Sequence, residues 1–184
     1  GLDLKVDKQK NALRACREAL ESGDVGRSVE LIQSLSGALR AITLERFVER
    51  AAKLEALFKL ESSFPIDLHE AREQVARGRE LISQAKVEEA FGALDGAEEA
   101  ISRSFSRVAG GIIAGLRGRA EALSRWRKVD LGDLEGEVRR LELKERYGEA
   151  VSLLVRARAL LREAEKTVLL ERLAPIQPRL RLAH

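Results

Sequence analysis

The sequence predicts an all-α protein of tandem helical hairpins, and three observations carry that prediction. An apolar pattern recurs at 62 residues without a gap: Val6, Leu13, Cys16, Leu20, Val25, Val29, Ile32, Leu35 and Leu39 are followed by Leu68, Val75, Gly78, Ile82, Val87, Phe91, Leu94, Ala97 and Ile101. A third, shorter copy comes next as Leu131, Val138, Leu141 and, after three fewer connecting residues, Tyr147, Val151, Leu154, Ala157 and Leu161. Fixed-period self-similarity of this kind marks a repeat array. Composition agrees, because Ala, Leu, Glu and Arg dominate and only three prolines, one tyrosine and one tryptophan occur in 184 residues. Straight-chain side chains lose little rotamer freedom in a helix, and few strand-forming stretches compete.

Each copy reads as a short helix, a tight turn and a longer helix. The short helices are expected at 4–21, 67–85 and 130–145, and the chain reverses at Ser22-Gly23-Asp24, near Lys86 and near Arg146. Helix starts carry chemical marks: Pro65 precedes Asp67 and Glu70, and Asp130 and Asp133 repeat the acidic spacing, so carboxylates meet the exposed amides and the positive end of the helix dipole. The long helices are expected at 24–61 and 87–128, about 60 Å each at 1.5 Å per residue. The organisation is therefore repeat 1 at 1–62, repeat 2 at 63–128, repeat 3 at 129–174 and a proline-containing tail at 175–184.

A short helix covers only half of such a long one, so the other half must bury its apolar stripe elsewhere. The economical arrangement is a series of three-helix, coiled-coil-like bundles sharing long helices: 44–61, 67–85 and 87–101 form one, and 105–128, 130–145 and 147–170 form the next. Within the first long helix the stripe changes phase near Thr43, from Val25, Ile32, Leu35, Leu39 and Ile42 to Leu44, Phe47, Ala51, Leu54 and Phe58. In the second, Gly110, Gly111 and Gly115 weaken the helix by about 1 kcal/mol each relative to alanine. They are expected to mark close packing, a kink or a break. The hairpin at 4–39 is left without a third helix, which predicts either a missing upstream repeat of a longer array or pairing with another chain, and Val6, Leu13, Cys16, Leu20, Val29, Ile32, Leu35 and Leu39 are the candidate self-association face.

Candidate chemistry is sparse. Cys16 is the sole cysteine and sits at a core position between Leu13 and Leu20, where a thiol behaves as a small hydrophobe. One cysteine cannot form an intramolecular disulfide, which points to a reduced, cytoplasmic setting. His69 stands with Glu70 and Glu73 but without a second histidine or a cysteine pair, so neither a metal nor any other cofactor is expected, and His184 reads as a tag remnant. The glycine-rich segment lacks the lysine and hydroxyl residue of a phosphate loop. Neither a nucleophile–base pair nor a metal set can be assembled from one cysteine and two histidines, so the chain reads as a non-enzyme, with acid–base work by Glu and Asp alone as the remaining enzymatic reading. The uncharged run at 108–116, which no other run exceeds, is too short to cross a bilayer, which takes about 20 apolar residues. Absence of methionine suggests a piece of a longer protein.

The formal charge of +3 is small against 33 basic and 30 acidic groups, but its distribution is uneven. The segment 86–101 is acidic, whereas 103–128 carries Arg103, Arg107, Arg117, Arg119, Arg125, Arg127 and Lys128 against Glu121 alone. That basic stripe, with Trp126, either packs beside the acidic third short helix or binds nucleic-acid phosphates or an anionic membrane surface.

Gly23-Asp24-Val25 with Ser28-Val29, Lys86-Val87-Glu88-Glu89-Ala90-Phe91 and Arg146-Tyr147-Gly148-Glu149-Ala150-Val151 resemble the turn and second-helix start of tetratricopeptide-like hairpins. The continuous long helices resemble those linking spectrin-like three-helix arrays. The resemblance implies a scaffold that binds a protein partner or itself, and that is the function expected here, with binding of nucleic acid or an anionic surface through 103–128 as the alternative.

Overall fold

The computed structural model describes residues 2–174, with side chains described from residue 10 onward. The chain is all-α, and no strand occurs among the described residues. The helices are α1 (Leu2–Glu21), α2 (Val25–Leu57), α3 (His69–Ser83), α4 (Val87–Leu123), α5 (Leu134–Glu142) and α6 (Tyr147–Leu173), with a 3-10 turn at Phe58–Ser62 closing α2. Val6 lies in α1 but its side chain is outside the described set, as are Pro175, Pro178, the rest of the tail and His184.

The three hairpin turns share one geometry. Gly23, Ala85 and Glu145 all adopt left-handed backbone, with φ of 77°, 60° and 56°. In each turn the next amide reaches back five residues: Asp24 N–H to Ala19 O, Lys86 N–H to Leu81 O and Arg146 N–H to Leu141 O, at 3.0, 3.0 and 2.9 Å. This 6→1 bond closes a Schellman motif, which satisfies the carbonyls a helix end leaves open. Glycine takes left-handed backbone freely, while Ala85 and Glu145 adopt it at a cost of about 1 kcal/mol. The spacing of the three turns follows the sequence recurrence, at 62 and then 60 residues.

Helix starts are capped by side chains, though not always where the acidic spacing suggests. Asp24 accepts from the Arg27 amide at 3.0 Å to open α2, and Asp133 accepts from the Gly136 amide at 3.1 Å to open α5. Asp67 bonds the His69 amide at 3.0 Å, while Glu61 takes the Leu68 amide at 2.8 Å and also pairs with Arg72. The hydrogen bond from Arg72, seconded by the Leu68 amide, holds the Glu61 carboxyl below its ordinary range. The third short helix is much shorter than 130–145 because Asp130 turns the chain first. Its carboxylate accepts from the Gly132 amide at 2.8 Å, Gly132 has φ of 57°, and the helix can begin only after Asp133.

Packing follows sequence neighbours and then continues along the long helices. α1 packs on α2, α3 on α4 and α5 on α6, while α2 also meets α3 and α4, and α4 also meets α5 and α6. The back half of α2 enters the core through Phe47, Ala51 and Leu54, with the Phe47 ring edge-on to Phe91 at 5.8 Å. α4 contributes Leu94, Ala97 and Ile101 from its front half, then Phe105, Ala109, Ile113 and Leu116 from its back half. Phe105 is fully buried, stacked on Phe64 at 5.6 Å and edge-on to Tyr147 at 5.1 Å. One ring thus joins the connector before α3, the middle of α4 and the start of α6.

α4 runs unbroken through its glycines. A Cβ built on Gly110, Gly111 or Gly115 would meet nothing within 4 Å, so these residues serve no close helix crossing and lower the helix propensity of α4 without securing a contact. The expectation of close packing at that segment is corrected. The tight approach lies instead at buried Gly78, where a Cβ would sit 3.2 Å from the Ala90 carbonyl oxygen and 3.3 Å from the Phe47 ring. The missing side chain of Gly78 is what lets α3 sit under both Phe47 and α4.

Candidate interaction surface

The first hairpin is thin. Cys16, Ala19, Ser28 and Leu35 are buried between α1 and α2, with the Cys16 thiol 3.9 Å from the Ser28 carbonyl oxygen. The remaining candidates of the association face with described side chains, Leu13, Leu20, Val29, Ile32 and Leu39, are exposed. Cys16 and Leu35 therefore hold the hairpin together, and the other five form its apolar exterior. No other described helix supplies a cover for them.

The basic segment is divided among three neighbours. Arg103 pairs with Glu70 of α3 at 2.8 Å, Arg117 with Glu135 of α5 at 2.7 Å, and Arg119 with Glu165 of α6 through two bonds, one of 2.8 Å. The Arg119 bond lowers the Glu165 carboxyl and raises the guanidinium, as expected for a fork facing a carboxylate. Arg107, Arg125, Arg127 and Lys128 stay exposed and make no ion pair among the described residues. Arg125, Arg127 and Lys128 follow the end of α4. Trp126 lies with them, exposed, with the Arg172 guanidinium 4.9 Å above its ring.

Other junctions use similar pairs. Arg50 of α2 reaches across to Asp95 at 2.6 Å and Glu98 at 2.7 Å on α4; the Glu98 hydrogen bond leads in raising the Arg50 pKa. Arg79 of α3 pairs with Glu55 of α2 at 2.7 Å. Ser102 donates to Glu142 at 3.2 Å, Ser106 also donates to Glu142, and burial raises the Tyr147 hydroxyl beside them. Each of these ties one hairpin to the next.

His69 faces solvent with Glu73 at 3.4 Å. Among the described residues no group of three or more His, Cys, Asp or Glu side chains converges as a metal site, and no helix is long and apolar enough to cross a membrane. No family model matches the chain, and neither the curated proteins nor the solved structures compared with it give a match.

Proposed function

We propose that the chain is a non-enzymatic scaffold module of two consecutive three-helix bundles that share α4, with the first hairpin joined to them through α2, and that it mediates protein–protein association. The observation carrying this reading is the division of α4: its front half is buried with α3 and its back half with α5 and α6, so one unbroken helix serves two hairpins. A shared helix sets spacing and orientation between its hairpins, which is what a spacer requires. The exposed leucines and isoleucine of the first hairpin supply an apolar surface of the kind that marks protein contacts. A cytoplasmic setting fits the lone buried thiol.

The competing reading is binding of nucleic acid or an anionic surface through 103–128. It loses weight because Arg103, Arg117 and Arg119 are engaged by Glu70, Glu135 and Glu165. Small-angle scattering combined with a salt titration against duplex DNA and acidic vesicles separates the two. The scaffold reading expects an elongated particle and no binding at low ionic strength. A compact particle that binds DNA or vesicles tightly at low salt and releases them at high salt would overturn it.

A further inference from the structure

We infer that this chain associates head to tail, the exposed end of α6 from one copy covering the bare α1–α2 hairpin of the next. The inference rests on the scaffold reading and adds the identity of the occupant and the polarity of the contact.

The internal repeat supplies the argument. Leu13, Ile32 and Leu39 correspond by the 62-residue recurrence to Val75, Leu94 and Ile101, and in the third copy to Val138, Leu154 and Leu161. The residues of the second and third copies are at most 3% exposed, whereas Leu13, Ile32 and Leu39 are 57%, 49% and 47% exposed. What covers the second and third hairpins is the back half of the preceding long helix: α2 through Phe47 and Ala51, and α4 through Ala109 and Ile113. Those pairs correspond to each other at 62 residues, and the next positions, 60 residues on, are Leu169 and Leu173 of α6.

Leu169 and Leu173 are 60% and 49% exposed, while Phe47, Ala51, Ala109 and Ile113 are at most 5% exposed. The chain therefore carries, at its two ends, the two halves of a junction that it builds twice inside itself. One end has a hairpin face without its covering helix, and the other has a covering helix without its hairpin. Both are apolar at the positions the internal junctions bury.

The ion pair that Arg50 makes at the first internal junction is not repeated at these ends. Arg172 stands where α2 has Arg50, but Gln33 and Ser36 stand where Asp95 and Glu98 receive it. The intermolecular contact thus lacks the charged pair that α2 contributes to the first internal junction, as the second internal junction, with Ile112 in place of Arg50, already does. Because donor and acceptor surfaces are different patches, the contact is heterologous and grows open chains rather than closing as a two-fold dimer.

Two variants of the full 184-residue chain test this by sedimentation. One blocks the head, Ile32→Glu with Leu39→Glu, and the other blocks the tail, Leu169→Glu with Leu173→Glu. All four side chains are exposed in the isolated chain, so each variant is expected to keep the helix content of the parent by circular dichroism. The parent is expected to gain average mass as concentration rises. Each variant alone is expected to remain at the 20.4 kDa monomer mass, and an equimolar mixture, with one intact head and one intact tail, to give a species of twice that mass and no larger. A parent that stays monomeric, or a mixture that does, overturns the inference. A tail-blocked variant that still self-associates overturns it as well, by placing the contact hairpin to hairpin, and leaves the scaffold reading standing.

Discussion

Phe105→Ala is expected to lower the unfolding free energy by about 3–5 kcal/mol, the range for deleting a buried phenyl ring and leaving a cavity. For a chain of this size that is a fall in midpoint temperature of about 6–20 °C. The effect lies at the high end of what single substitutions do because Phe105 is fully buried and touches Phe64 and Tyr147, rings from the neighbouring connector and from α6. Aromatic pairs add about 0.5–1.5 kcal/mol beyond the area they bury, and two such pairs are lost together. Near-ultraviolet dichroism reads the change locally, since Tyr147 loses the ring that orients it. Thermal and urea unfolding of the variant check the magnitude; a loss below about 1 kcal/mol would mean that Phe105 does not join the hairpins.

Phe47→Ala is expected to cost a similar 3–5 kcal/mol by the same cavity argument, but at a different junction. Phe47 is almost fully buried, edge-on to Phe91, and seated in the notch that Gly78 leaves open. The size of the loss depends on how far α3, which packs through Gly78 against the ring, moves into the vacated volume. Removing the ring loosens the back half of α2 from α3 and α4 while the second junction, around Phe105, is untouched. Hydrogen exchange distinguishes the two variants: Phe47→Ala is expected to raise exchange chiefly in α2 and α3, and Phe105→Ala chiefly in α5 and α6. Equal effects throughout would contradict a chain organised in successive junctions.

The short and long helices were legible because their signals are local. The recurrence places the turns, and the turn residues Gly23, Ala85 and Glu145 fall at its period. The end of α5 that shrank was not legible, since Asp130 reads equally well as a helix cap or as the carboxylate of a turn to Gly132. Only the geometry of the neighbouring left-handed glycine separates them. Gly110, Gly111 and Gly115 misled for a related reason: a glycine in a helix costs propensity whether it faces a neighbour or solvent, and the sequence carries the cost without the direction. Gly78, the glycine that does admit a close contact, stood in the apolar register itself, at the position of Cys16 in the first copy.

The candidate surface was legible in outline. Leu13, Ile32 and Leu39 have the same pattern as the buried residues of later copies, so pattern alone cannot separate a covered stripe from a bare one. What separates them is the count of long helices, since each hairpin needs the back half of a preceding one. The basic segment illustrates the converse limit. Charge along α4 suggested a single acidic neighbour, but position along the helix gives Arg103 to α3 and Arg117 to α5, and rotation turns Arg119 to α6.

The account rests on α4 being one continuous helix that serves two hairpins. Spin labels at E88C and E121C, two exposed positions, in a chain with the buried Cys16 replaced by alanine, measure that continuity directly. An unbroken helix places these backbones about 50 Å apart at 1.5 Å per residue, in a single narrow distance distribution. A principal distance below about 40 Å, as a break at the glycines would give, contradicts it.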